Sequence, residues 1–196
     1  GFDGAEMTYD AFGRMVMKKV PSDLSVRTEE PDEAYWAENA DELRWWLESA
    51  AEAGDMKVHL IRITKDIIGS QGVEKAFRAF KEALAEAEKV EGEPSLIVRN
   101  AQYRQVIVDG GGHKMSGFTV DGVKNVTFRN LRITSSVTVR KSAGITFDAC
   151  EIEYLKAQYS APGLQVQNCR LKSQVLLEHV ERSTINIGFN LIETVN

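Results

Sequence analysis

Four segments in the second half of the chain align without gaps: Asn125-Val-Thr-Phe-Arg-Asn-Leu-Arg-Ile133, Gly144-Ile-Thr-Phe-Asp-Ala-Cys-Glu-Ile152, Gly163-Leu-Gln-Val-Gln-Asn-Cys-Arg-Leu171 and Thr184-Ile-Asn-Ile-Gly-Phe-Asn-Leu-Ile192. Their starts are 19, 19 and 21 residues apart. Val126, Ile145, Leu164 and Ile185 share one position of the repeat, Phe128, Phe147, Val166 and Ile187 a second, and Ile133, Ile152, Leu171 and Ile192 a third. The seventh position holds Leu131, Cys150, Cys169 and Asn190. A second short apolar run accompanies most segments, as in Val137-Thr-Val139 and Val175-Leu-Leu177. Equivalent side chains returning at one offset every ~20 residues are what the stacked turns of a parallel β-solenoid require, and hairpins of a sandwich would not repeat them.

The repeat divides the chain by character. Residues 1–94 carry 12 Lys/Arg and 21 Asp/Glu, a net of −9, and residues 95–196 carry 12 and 8, a net of +4, which together give the chain's −5. Periodicity changes at the same place, from helical to strand-like. Residues 1–38 read as an extended segment, in which Pro21 and Pro31 flank an acidic, polar stretch and Met7–Val20 fits neither a 3.6 nor a 2 period. Residues 39–94 read as a helical cap region with one strand. Asn39 is its expected N-cap, with Asp41 and Glu42 where the helix dipole favours negative charge. Leu43, Trp46, Leu47, Ala50 and Ala51 follow on one face, and Gly54 ends the run. A strand over Lys57–Ile63 comes next. A second helix from about Ser70 carries Val73, Ala76, Phe77, Phe80 and Leu84 as its apolar stripe, and Gly92 and Pro94 close it. Residues 95–196 then make a parallel β-helix of about five coils.

The stretch Ser95–Val120 belongs to the same system. A strand ending in Asp109-Gly110-Gly111-Gly112-His113, then a Gly-Phe-x-Val run and an Asn-Val-Thr-Phe-x-Asn-Leu run, resembles the opening coils of the right-handed β-helix superfamily of pectate lyases, polygalacturonases and phage tailspikes. The resemblance covers roughly residues 40–196. It implies a mainly β fold: a short single-stranded right-handed parallel β-helix (β-solenoid) with an α-helical N-terminal cap. It implies no activity, because this fold carries enzymes, adhesins and inert stalks alike.

The enzyme signatures of that superfamily are mostly absent. No Asn-Thr-Asp, Asp-Asp or Gly-His-Gly occurs on successive coils, and the aspartates of the solenoid half, Asp109, Asp121 and Asp148, include no pair adjacent in register. Glu151 and Glu153 lie two residues apart in one strand, ~6.8 Å, a spacing formally compatible with hydrolysis by two carboxylates. The expectation is therefore no catalytic set, no metal site and no cofactor, with calcium entering only under a lyase reading. Asp109–His113 reads as a glycine-rich turn between coils rather than a phosphate loop. His59 and His179 stand isolated in sequence, and Cys150 and Cys169 read as buried apolar ladder residues. Trp45 and Trp46 are adjacent, so one faces the solenoid and the other leans outward, with core packing of the cap as the default for both.

Outward positions of the repeat supply the candidate binding face. Arg129 and Asp148 fall in one column with Gln167, and Arg132, Glu151 and Arg170 in another, with opposite charges on neighbouring rungs ~4.8 Å apart. Self-neutralising surface ladders explain such columns, and so does a polar groove that hydrogen-bonds sugar hydroxyls. Tyr154 and Tyr159, expected in a nearby turn, would add a stacking surface.

The net charge of −5 argues against a general nucleic-acid binder, and no apolar run reaches the ~20 residues of a membrane helix. Two cysteines make no disulfide framework. The start Gly1-Phe2-Asp3 reads as a processed or trimmed form. A homo-oligomer or a C-terminal continuation is expected to cover the open end of the solenoid. The function these readings favour is a non-catalytic extracellular, cell-surface or virion module, of phage origin or otherwise, that binds a polysaccharide or a partner or serves as a stalk. The alternative is a polysaccharide lyase or glycoside hydrolase with an unrecognised site.

Overall fold

The computed structural model describes residues 6–9, 15–19, 33–53, 57–88, 105–159, 161–180, 185–188 and 191–192. The chain divides into two compact units, Gly1–Glu30 and Pro31–Asn196.

In the first unit, β1 (Glu6–Tyr9) pairs antiparallel with β2 (Met15–Lys19). Sequence periodicity assigns nothing here, and the pairing shows why: the register slips between Thr8 and Tyr9, which breaks the period of two. The segment between Pro21 and Pro31 lies outside the described residues.

The second unit opens with β3 (Glu33–Ala37), α1 (Ala40–Glu52), β4 (Val58–Ile63) and α2 (Ser70–Glu88). Strands β5 (Gln105–Asp109), β6 (Lys114–Met115), β7 (Phe118–Asp121), β8 (Lys124–Arg129) and β9 (Arg132–Arg140) follow. The chain continues through β10 (Ala143–Asp148), β11 (Glu151–Gln158), β12 (Leu164–Gln167), β13 (Arg170–Glu178), β14 (Ile185–Gly188) and β15 (Leu191–Ile192). A first sheet runs β14-β12-β10-β8-β5-β4-β3, and a second runs β15-β13-β11-β9-β6, with β7 also on β9. Every pairing in both is parallel.

This is a parallel β-solenoid of about four turns, mainly β, with a helical N-terminal cap. The length of residues 95–196 led to an expectation of about five. Of residues 95–196, the described strands run from Gln105, and the last described rung holds just the short β14 and β15.

The register is the one the repeat implies. Val106, Val126 and Ile145 face one another on successive rungs, as do Val108, Phe128, Phe147 and Val166, and Met115, Ile133, Ile152 and Leu171. All of them are buried. Phe77 of α2 stacks on Phe118, Phe118 lies 5.1 Å from Phe128, and Phe128 stacks on Phe147, so one aromatic spine ties the cap to three turns. Each such ring pair adds ~0.5–1.5 kcal/mol beyond its buried area.

Corners are made by residues at positive φ that recur once per turn: Asn130, Ala149 and Asn168 at one corner, Lys141, Tyr159 and His179 at a second, Asn125, Gly144 and Gly163 at a third. Glycine is required at 144, where φ is 63° and an added Cβ would lie 2.7 Å from Asn125 Oδ1.

The cap extends the first sheet while replacing the second. At the level of β3 and β4 the second sheet is reduced to a one-residue bridge between Ile67 and Met115. Leu43, Leu47, Ala50 and Ala51 of α1 and Val73, Ala76, Phe77 and Phe80 of α2 supply the apolar cover instead. Asn39 caps α1 as expected: its side chain accepts from Glu42 N at 2.9 Å, and Glu42 Oε2 accepts from Glu38 N at 2.8 Å. Ala53 is the observed C-cap, and Gly54, Gly92 and Pro94 lie outside the described residues. Helix α2 also closes the side of β7 away from β9: Glu74 Oε2 accepts from Thr119 N at 2.8 Å and Lys81 reaches Asp121 at 2.6 Å, while Arg140 of β9 holds Asp121 at 3.0 Å. Trp46 is partly buried against the core and Trp45, on the solvent side of α1, is 60% exposed, so one of the adjacent pair faces inward and the other leans outward, as expected.

Candidate functional site

A groove of about 600 Å³ runs along the corner that joins the first sheet to the second. One rim is the positive-φ column Asn130, Ala149 and Asn168; the other is Arg132, Glu151 and Arg170, and Leu131 and Cys150 lie between. The sequence places these groups at the corner because β8, β10 and β12 end on the outward polar residues Arg129, Asp148 and Gln167. The next residue must then turn into the left-handed region, which asparagine tolerates.

The two expected columns are in register, but they have different environments. Asp109, Arg129, Asp148 and Gln167 sit side by side on successive rungs, just behind the groove rim. Arg129 lies 2.9 Å from Asp109 through both Nε and Nη2. Asp109 Oδ1 accepts from Gly111 N at 3.1 Å and from the Asn130 amide at 3.2 Å. Burial works to raise the Asp109 pKa, but those donors together with the Arg129 charge outweigh it and hold the carboxyl below its usual range. Asp148 accepts from the Asn168 amide at 2.8 Å.

In the second column, Lys114, Arg132, Glu151 and Arg170 are neighbours. Lys172 Nζ approaches Glu151 at 2.5 Å and Glu153 at 4.0 Å, and Arg170 stands 3.9 Å from Glu151. The hydrogen bond from Lys172 pulls the Glu151 pKa down against the opposing effect of burial. Glu151 and Glu153 are therefore bridged by one ammonium. Arg132 has no ion-pair partner within 4.0 Å among the described residues, although it neighbours Glu151 in register and its charge helps hold that carboxyl down.

Tyr154 lies within β11 rather than in a turn, beside Ser136 and Gln174, because β11 runs unbroken through a register shift at Ile152–Tyr154. Tyr159 stands at the far corner of the same turn, where it stacks on His179 with centroids 5.6 Å apart. Neither ring lines the groove.

Asp109–His113 forms the glycine-rich turn. At Gly110 an added Cβ would lie 2.5 Å from Leu131 Cδ2, so the chain can pass this close only without a side chain. His113 Nδ1 lies 3.3 Å from Asp66 Oδ1, a pairing across 47 residues that no local pattern announces. His59 is buried in β4, 6.2 Å from the Tyr35 ring. Cys150 and Cys169 are free and buried. Cys150 Sγ donates to the carbonyls of Phe128 and Asp148 at 3.4 Å, and Cys169 Sγ to that of Gln167 at 3.1 Å. The neighbouring Cys169 sulfur and burial both keep Cys150 in its neutral thiol form.

Sequence reasoning missed Asn130, Asn168 and Lys172. The asparagines had a readable signal, since they occupy the sixth position of the first and third repeats. Lys172 lies at the register shift, where a gapless alignment loses its pairing. Comparison of the chain with protein-family models, curated proteins and solved structures returned no match.

Proposed function

We propose that this protein is a non-catalytic β-helix module that binds carbohydrate in the corner groove, in an extracellular, cell-surface or virion setting. The observation that carries the reading is the groove's lining: two amides on one rim, and two guanidiniums flanking a carboxylate on the other. Amides donate and accept, guanidiniums only donate, and an ionised carboxylate only accepts, a set that matches the donor-and-acceptor character of sugar hydroxyls. Repetition at the ~4.8 Å rung spacing suits a chain ligand of repeating polar units. Arg132, without an ion pair, favours glycans that carry negative charge.

The state of the acids supports binding over hydrolysis. A general acid must stay protonated near its working pH, which needs a raised pKa. Asp109 and Glu151 are both shifted the other way. The parallel solenoid also suits the resemblance to the right-handed β-helix superfamily, a fold that carries enzymes, adhesins and stalks alike.

The test is incubation with a panel of acidic and neutral polysaccharides, with and without calcium. Unsaturated ends are followed by ultraviolet absorbance and new reducing ends chemically, and affinity is then measured on the same panel. Saturable affinity without turnover, lost in Arg132→Ala and Arg170→Ala, is the expected result. Turnover, with or without a calcium requirement, would replace this reading with that of a lyase or hydrolase.

A further inference from the structure

All three tryptophans of the chain, Trp36, Trp45 and Trp46, lie at the β3–α1 end of the cap. Trp36 is 57% exposed and Trp45 is 60% exposed. Core packing does not account for this, because Leu43, Leu47, Ala50 and Ala51 already fill the inward face of α1 and Ala37 the inward end of β3. The rings of Trp45 and Trp46 are nonetheless held in place, whereas Trp36, between the inward Tyr35 and Ala37, projects to the outer face of the sheet beside Arg62. Trp46 stacks on Tyr35 at 4.3 Å and on Trp45 at 4.7 Å, and its Nε1 donates to Trp36 O at 2.9 Å. The result is a rigid aromatic surface at the outermost strand of the first sheet. Exposed, pre-ordered indoles of this kind are what binding hot spots are made of, since little side-chain entropy is lost on contact.

The charge around them specifies the occupant. Residues 33–53 carry six acidic side chains and one basic one, a net of −5, and of the bases on the neighbouring strand and its loop Lys65 pairs with Glu38 and Arg62 stands beside Trp36. The lone base within 33–53, Arg44, stands 3.9 Å from both Asp41 and Glu48, which flank Trp45 one helical turn before and after it. A second copy of the chain would bring one such surface against another of the same sign, and nucleic acid would be repelled. A cationic side chain is attracted twice, by the carboxylates and by the face of an indole.

We propose that this end of the cap docks a basic segment of a partner protein, with a lysine or arginine side chain laid over Trp45. The surface is separate from the groove and independent of the carbohydrate reading.

Tryptophan emission tests it directly, because Trp45 and Trp46 lie in the patch and no tryptophan lines the groove. The full chain is titrated with a synthetic peptide of alternating lysine and serine, then with its glutamate–serine counterpart and with a neutral gluco-oligosaccharide. Expected is a saturable emission change with the lysine peptide alone, weakened by salt. Trp45→Ala, at an exposed position, lowers the affinity about five- to tenfold with the melting temperature unchanged. Asp41→Asn with Glu48→Gln lowers affinity and flattens the salt dependence. No saturable change with the lysine peptide, an equal response to the glutamate peptide, or a response to the oligosaccharide instead would each overturn the proposal. Glycan bound in the groove leaves the emission unchanged, so the two readings fail separately.

Discussion

Asn168 donates its side-chain amide to the carboxylate of Asp148, on the neighbouring rung, at 2.8 Å. Asn130 makes the equivalent bond to Asp109 at 3.2 Å. Between them Ala149 holds the same left-handed backbone, at φ 52°, with only a methyl group, and the groove opens across it.

Replacement at that position separates stability from binding. Ala149→Gly relieves the positive-φ strain and raises stability by about 0.5–1 kcal/mol, with the groove left open. Ala149→Asn relieves the same strain but fills the gap between the two amides. Thermal melts of both variants rise, while glycan affinity falls only in the asparagine variant.

The two arginine columns differ in what they do for the fold. Arg129→Ala leaves the largely buried Asp109 short of its charged donor and lowers stability by about 1–3 kcal/mol. Arg132→Ala removes a cation with no ion pair and shifts stability by less than about 0.5 kcal/mol. Denaturant melts distinguish the two, and glycan affinity responds to Arg132→Ala.

Acid destabilises the protein through Asp109. Its folded pKa lies below the unfolded value of about 3.9, so its contribution is complete above that pH and is lost as pH falls through the lowered value. The melting temperature is expected to drop below about pH 4. Asp109→Asn starts lower at neutral pH and falls less steeply. Glu151→Gln changes the profile little, since the Glu151–Lys172 pair is partly exposed and screened.

Phe128 stands in the middle of the aromatic spine, between Phe118 and Phe147. Phe128→Ala opens a cavity beneath three turns and costs about 3–5 kcal/mol. Leu84→Ala, at the partly buried end of the α2 stripe, costs clearly less. Urea denaturation of the two variants gives the comparison.

The solenoid was legible because its information is local and repeated. Val126, Ile145 and Leu164 announce their ladder by offset alone, and Asn39 with Glu42 announces a helix start within four residues. The groove was legible by half. Arg132, Glu151 and Arg170 followed from the alternation of strand faces, whereas the opposite rim depends on left-handed corners, which apolar periodicity does not register. Tyr154 and Tyr159 were expected in one turn, but β11 continues through the register shift and carries Tyr159 to the opposite corner. The link between His113 and Asp66 crosses 47 residues and depends on how the cap meets the first coil. Pairings of that kind become visible only once the layers are stacked.

The register shift in β11 also bears on how a protein of this kind changes size. Four residues separate the inward steps at Ile133 and Val137 in β9, as they do at Leu171 and Val175 in β13, but only three separate Ile152 and Leu155 in β11. The turns on either side therefore match each other better than either matches the turn between them. Excising residues 144–162, one nineteen-residue period, would bring Gly163 to the place of Gly144 and set β9 against β13 with equal spans. Length in this molecule is counted in whole turns, and the turn that could be removed with least disturbance to the ladders is the one that carries Ala149 and Glu151.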